Sequence, residues 1–258
     1  MIWTNSKYVG DGDVFLATER NYKYIDLNLL KKVSEIVFVS DENKFIYDNY
    51  YDKIKDLKLI GITGTNGKTT TCYLIYQMLN LMGEKASYIG TIGFYIDDMV
   101  FKLDNTTPEI SLLYNMLYYA KKRKCRVVVM EVSSHALKQD RTYGLLFDSV
   151  LVTNITRDHL DYHKTLKDYI KSKQKLIHLT RGKKICILNK KDKYYKKFKI
   201  KDNNNLIIGK DVKITLVLMN SSNTYVIVKD TVKRGFMLPF MGLFNVYNFL
   251  YAYYAINI

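Results

Sequence analysis

The sequence predicts an α/β protein in two parts. A small mixed α/β N-terminal domain is expected at residues 1–57, and a central domain at 58–258 with a mostly parallel sheet flanked by helices. Three observations carry this expectation. From residue 58 onward, short apolar runs alternate with helix-length segments, the pattern of strands covered on both faces. A glycine-rich turn joins the first of those strands to the first of those helices. The composition, 48% hydrophobic and 25% charged over 258 residues, is that of a globular chain with room for one large domain or two.

In the N-terminal part, the apolar run 14–17 follows the turn-forming Gly10-Asp11-Gly12-Asp13. Residues 27–33 have helical spacing, 36–39 read as a buried strand, and 52–58 read as a charged connector. The central part begins with a strand at 59–63, a helix at 68–82 and a strand at 87–90, then a hairpin at 94–103 around Asp97-Asp98. A helix follows at 108–122, with Pro108 in its first turn, where the missing N–H does no harm. Strands are expected at 126–132 and 149–153, a helix at 166–179 and a strand at 184–188. Residues 206–240 are strand-rich, with clear alternation over 224–228, and 244–256 reads as a helix.

The net charge of +15 raises the question of nucleic acid. Its distribution answers it. Residues 1–57 carry 8 basic and 10 acidic groups, 58–180 carry 17 and 11, and 181–258 carry 15 and 4. The excess sits in a lysine-rich stretch, 183–213, and only 7 of the 40 basic residues are Arg. Lysines without an arginine fork or an aromatic platform form a solvated face, so no nucleic-acid partner is expected. Cys72, Cys125 and Cys186 are far apart, which argues against a zinc ribbon and a disulfide framework. The N-terminus lacks the basic-then-apolar order of a signal peptide, and no apolar run approaches the ~18 residues of a membrane span. A cytoplasmic protein is expected.

Gly61-Ile62-Thr63-Gly64-Thr65-Asn66-Gly67-Lys68-Thr69-Thr70 is the strongest local signal. It ends a strand and opens a helix, as a phosphate loop must. Gly64 and Gly67 let backbone N–H groups turn toward an anion, and the helix N-terminus adds positive partial charge. Lys68 can reach terminal phosphates, and the Thr69 hydroxyl suits Mg²⁺. The first position of the GxxxxGK[ST] pattern is Ile62 rather than glycine. A P-loop-type nucleotide domain is the reading. Glu131 ends the apolar strand 126–132, where ligands of α/β proteins bind, and is a candidate Mg²⁺ ligand. The loop after the next strand, 154–163, holds two His and two Asp, His159 among them.

GTNGKTTT at 64–71, EVSSHAL at 131–137 with QDR at 139–141, TNITRDHLDYH at 153–163 and GLFNVYN at 242–248 occur in order. Together they resemble the Mur ligase family, and within it the UDP-N-acetylmuramoyl-tripeptide synthetases. The resemblance implies ATP-dependent addition of the third amino acid, a diamino acid, to UDP-MurNAc-L-Ala-D-Glu through an acyl phosphate, in peptidoglycan precursor synthesis. It implies that Gly64, Thr65, Asn66, Gly67, Lys68, Thr69 and Thr70 hold ATP, with Asn245 and Asn248 near the nucleotide. Helix capping is an equal alternative for those two asparagines. Thr69 and Glu131 are implied as ligands of one Mg²⁺ and His159 as a ligand of a second, with Lys173, as a CO₂-derived carbamate, also a Mg²⁺ ligand. Lys68, Lys173, His159 and Glu131 are the catalytic set so implied. Ser6, Asn105, Thr106, Thr107, Ser133, Gln139 and Arg141 match the UDP-substrate side. The resemblance also implies a shortened N-terminal domain and a chain without the family's C-terminal domain, which a separate chain could supply. The competing expectations are a folylpolyglutamate- or cyanophycin-type ligase and a non-catalytic nucleotide-binding remnant.

Overall fold

The computed structural model describes residues 1–200 and 205–257, without the side chains of 182–184. Within the lysine-rich stretch, residues 201–204 and the side chains of 183 and 184 therefore lie outside the described residues, as does residue 258.

The N-terminal part holds β1 (Ile2–Trp3), β2 (Asp13–Ala17), α1 (Leu27–Lys32), β3 (Val33–Phe38) and α2 (Glu42–Ile54). The strands form a parallel sheet in the order β1-β2-β3. Central β2 buries Phe15, Leu16 and Ala17 completely. Each helix starts on an aspartate: Asp26 accepts from the Leu29 N–H and Asp41 from the Lys44 N–H. Such caps satisfy donors that a helix start leaves orphaned.

The central part runs β4 (Lys58–Thr63), α3 (Lys68–Leu81), β5 (Ala86–Gly90), β6 (Gly93–Ile96), β7 (Met99–Phe101), α4 (Ile110–Lys122) and β8 (Val127–Glu131). It continues with α5 (Ser134–Lys138), β9 (Phe147–Val152), α6 (Leu160–His163), α7 (Leu166–His178), β10 (Thr180–Asn189) and β11 (Asn205–Ile208). Then come β12 (Lys213–Met219), β13 (Thr224–Lys229), β14 (Lys233–Leu238) and α8 (Leu243–Ile256). Eight strands form one sheet in the order β11-β10-β9-β4-β8-β5-β6-β7. The strands from β11 to β5 pair in parallel, and β6 and β7 append an antiparallel hairpin. The mostly parallel sheet is as expected. Strand alternation divides the core between its faces. Ile60, Ile62, Val127 and Val129 point toward α3 and α8, whereas Leu59, Val128 and Met130 point toward α4 and α7. The antiparallel sheet β12-β13-β14 covers α8 through Val226, Val228 and Leu238. No helix among the described residues is long and apolar enough to cross a membrane.

Four expectations need correction. The connector begins after Ile54, because α2 continues through residues 52–54 with Ile46, Tyr50 and Ile54 buried on one face. Four-residue spacing builds that stripe, but the surrounding Asp, Asn and Lys hide it in the sequence. The strand at 36–39 is an edge strand and only half-buried, with Phe38 exposed. The helix expected from Pro108 starts at Ile110 after Glu109, so Pro108 precedes it. The strand expected at 184 starts at Thr180, directly after α7.

Candidate active site

The ends of β4, β8 and β9 lie side by side in the sheet, and the site is built on their C-terminal edge. The loop after β4 is held by the loop after β9. Thr65 N–H donates to the Asn154 carbonyl at 2.7 Å, Asn66 N–H to Asn154 Oδ1 at 3.1 Å, and Thr153 Oγ1 to the Asn66 carbonyl at 2.6 Å. Gly67, with φ of 82°, opens α3. A Cβ there would lie 2.4 Å from Asn248 Oδ1, so glycine is required by backbone and by space. Lys68 folds back and donates to the carbonyls of Gly64 and Thr65 at 3.0 and 2.9 Å. Burial pushes its ammonium below the usual lysine range, opposed by the charges of Glu131 and Asp158.

Glu131 is fully buried, so it is not a solvent-facing strand end. Its Oε1 accepts from Tyr88 Oη at 2.5 Å and from the Thr91 N–H at 2.9 Å. Its Oε2 accepts from Thr69 Oγ1 at 3.0 Å and Thr91 Oγ1 at 3.3 Å. Burial, and then the Glu131 charge, drive Tyr88 upward, which keeps it a donor. Thr69 and Glu131 thus present hard oxygen donors side by side beside the phosphate loop, a donor set that suits Mg²⁺.

Lys173, on α7, is buried beside that loop. Its amine donates to the Gly64 carbonyl at 2.8 Å and lies 4.6 Å from the Tyr169 ring centroid. Burial, reinforced by the Lys68 charge, pushes it far below the ordinary lysine range. His159 adopts a left-handed backbone at the start of α6, half-exposed, 4.9 Å ring to ring from His135. It makes no direct contact with Glu131, and no cluster of three or more His, Cys, Asp or Glu among the described residues is arranged to hold a metal. Thr69 and Glu131, implied on one ion, touch, and Lys173 joins them through the loop backbone, while His159, implied on a second ion, stands apart from that pair. The other loop histidine, His163, is buried between Ser134 Oγ, at 2.9 Å, and Asp168. Burial pushes His163 down, toward the neutral form.

Asn245 and Asn248 do not cap α8, which starts after Gly242 without a side-chain cap. The capping alternative is therefore overturned. Asn248 is buried, accepts from Thr71 Oγ1 at 3.4 Å and donates to Asn245 Oδ1 at 3.2 Å. It abuts the phosphate loop at Gly67. Thr70 is exposed on the first turn of α3.

On the other side of β8, Thr107 Oγ1 donates to the Glu131 carbonyl at 2.9 Å and accepts from the Ser133 N–H at 3.0 Å. Arg141 donates to the Thr107 carbonyl at 2.7 Å and to Gln139 Oε1 at 2.9 Å. Thr106 contacts Thr91 at 3.0 Å. Gln139, Arg141 and Ser6 line one open cleft of about 1050 Å³ between the N-terminal sheet and α4. Arg20, Glu42 and Glu109 also line it and were not singled out from the sequence. Asn105 lies instead in a small neighbouring pocket of about 40 Å³ that shares Asn5 and Glu109 with the cleft. Tyr88, Thr91 and Asn154 were likewise not singled out as site residues. Asn154 stands inside the loop motif, but nothing in the local sequence marks the other two.

The family model of the Mur ligase middle domain matches residues 62–256. The chain belongs to the Mur ligase family. Among curated relatives, the UDP-N-acetylmuramoyl-L-alanyl-D-glutamate-2,6-diaminopimelate ligase of Parabacteroides distasonis is 37% identical over 80% of the chain and 43% of its own length. The enzyme of the same name from Buchnera aphidicola is 33% identical over 92% of the chain and 51% of its own length. A solved structure of an enzyme with that name superposes with a TM-score of 0.81 at 22% identity, covering 99% of the chain and 59% of its own. This Mur ligase chain therefore spans about half the length of the curated relatives it matches.

Proposed function

We propose that this chain supplies the ATP-binding and acceptor-binding parts of a ligase that adds the third amino acid to UDP-MurNAc-L-Ala-D-Glu, with 2,6-diaminopimelate as the incoming residue. The observation that carries this reading is the chain of hydrogen bonds from the phosphate loop to the cleft. It runs from Thr69 to Glu131, from the Glu131 carbonyl to Thr107, and from Thr107 to Arg141 at the cleft wall. In this reading a phosphate site and an acceptor cleft are joined across one strand end. In this reading residues 1–57 and the facing part of the central domain hold the UDP-substrate, and 58–258 hold ATP. The relatives' names support the acceptor and the amino acid. The cytoplasm, where ATP and a nucleotide-linked precursor meet, is the compartment this chemistry calls for.

The reaction follows from positioning and charge neutralisation. The acceptor carboxylate attacks the γ-phosphorus of ATP, forming an acyl phosphate and releasing ADP. The incoming amine attacks the acyl carbon, loses its proton, and phosphate departs as the amide forms. Lys68 and the loop N–H groups hold the phosphates and offset charge on the transferring group. Arg141 clamps an anionic group of the acceptor. Mg²⁺ would supply Lewis-acid neutralisation of the phosphate oxygens, held by Thr69 and Glu131. The buried amine of Lys173, biased to the neutral form, suits reaction with CO₂, which would convert it to an oxygen ligand.

Calorimetry of UDP-MurNAc-L-Ala-D-Glu binding to the purified chain, with Mg²⁺ and a non-hydrolysable ATP analogue, tests this reading. Saturable binding that Arg141→Ala weakens at least tenfold is expected. Binding of the ATP analogue with no binding of the UDP-substrate would overturn the acceptor assignment and favour a nucleotide-binding remnant.

A further inference from the structure

The carboxylate of Glu131 has about four lone-pair positions, two on each oxygen. Both positions of Oε1 are filled, by Tyr88 Oη at 2.5 Å and the Thr91 N–H at 2.9 Å. Oε2 meets only hydroxyls, those of Thr69 and Thr91, and hydroxyls can rotate away or themselves accept. The carboxylate is therefore locked with one oxygen turned to the phosphate loop. The lock is tight. Tyr88 is fully buried, and its ring sits 5.5 to 6.4 Å, centroid to centroid, from the rings of Tyr73, Tyr76 and Tyr95. A Cβ on Gly90 would fall 2.2 Å from Tyr88 Oη and 2.3 Å from Glu131 Oε1, so the backbone passes directly over the pair.

We propose that Tyr88 is a positioning residue for the metal–nucleotide site: its hydroxyl anchors Glu131 Oε1 so that Oε2 stays aimed at the cation bound between Glu131 and Thr69. The inference rests on the proposed role of Glu131 as a metal ligand. Outer partners of this kind set the orientation of a ligand, and their loss typically costs ~10–100-fold in metal affinity.

The test measures Mn²⁺ binding to the chain with ADP, by electron paramagnetic resonance, beside ADP binding in chelator. Tyr88→Phe keeps the ring and removes the anchor. It is expected to weaken Mn²⁺ binding about tenfold and to leave metal-free ADP binding unchanged. Gly90→Ala, whose methyl would press on Glu131 Oε1 at 2.3 Å and on the hydroxyl end of Tyr88, Oη at 2.2 Å and Cζ at 2.6 Å, is expected to shift Mn²⁺ binding in the same direction and decides the matter if Tyr88→Phe fails to fold. Glu131→Gln separates the two readings. Loss of Mn²⁺ binding in Glu131→Gln with full retention in Tyr88→Phe and Gly90→Ala overturns the anchoring role alone. Retention in all three overturns the metal site, and the anchoring role with it.

Discussion

Lys173 shows how placement changes the chemistry of a residue. A surface lysine is a cation at neutral pH. Here the amine is sealed against the Gly64 carbonyl and the Tyr169 ring, beside the positive Lys68, and its proton affinity falls. Only the neutral amine attacks CO₂. With ¹³C-bicarbonate, a carbamate carbonyl signal is expected in the NMR spectrum of the wild-type chain, absent in Lys173→Ala and weaker as pH falls and the amine protonates. A wild-type spectrum identical to that of the variant would sink the carbamate reading. Asp97 makes a separate prediction. Hydrogen-bonded ion pairs with Lys85 at 2.7 Å and Arg123 at 2.5 Å hold its carboxyl below the usual range. A lowered folded-state pKa stabilises above the unfolded value, ~3.9, and that stability is lost as pH falls through the folded value. Asp97→Asn keeps the side-chain shape in a turn with φ of 51°. It is expected to cost about 0.5–1 kcal/mol at pH 7, a gap that thermal melts should find narrowing as pH falls below ~3.9 and on through the lowered folded value. At this scale the sequence was informative where a motif carried the residue: Lys68, Thr69 and Glu131 lie together at neighbouring strand ends. Tyr88 was not legible, because the partner that gives it meaning lies in another strand.

At the scale of elements, α2 and α8 make the contrast. The helix α2 is polar on most of its surface, and only its docking on α4 reveals the buried stripe. Tyr50 receives the Ile2 N–H at 3.1 Å and donates to buried Asn115, whose amide in turn donates to the Ile2 carbonyl at 2.8 Å. One tyrosine thereby ties β1, α2 and α4. Tyr50→Phe leaves the Ile2 N–H and Asn115 Oδ1 without that partner and is expected to cost about 1–3 kcal/mol in denaturant unfolding; an unchanged midpoint would refute the clamp. The helix α8 was legible as a helix, and the resemblance implied Asn245 and Asn248 near the nucleotide, but what fastens the helix there was not legible. Tyr251 Oη donates to the carbonyls of Val152 and Thr153 at 2.7 and 2.9 Å, fastening α8 to the strand end that carries the loop. Asn248 then reaches Gly67. Gly67→Ala forces a left-handed alanine, about 1–2 kcal/mol of strain, and drives a methyl into Asn248. Its expected outcome is a lowered melting temperature together with weakened ADP binding; retention of both would show that the contact is slack.

For the molecule as a whole, one core runs beneath both parts. Leu16, Ile46, Tyr50 and Ile54 share a single buried cluster with Leu113, Leu117, Val128 and Met130. A chain of residues 58–258 alone would bare the α4 face that α2 covers. It is expected to be less soluble and to melt lower than the full chain; an equal melting temperature would mean that the central part needs no cover. The cleft for the proposed acceptor exists only because this packing sets Ser6 opposite Gln139 and Arg141. The sequence by itself determined the strand–helix alternation, the parallel sheet, the glycine-rich strand-to-helix loop and the family, because hydrophobic period, glycine turns and short motifs are local properties of the chain. Tertiary structure alone decided which partners complete each group: Tyr88 on Glu131, Asn248 on Gly67 and Arg141 on Thr107. Those pairings join residues tens to hundreds of positions apart, and their distances are set by how layers pack rather than by any spacing along the chain.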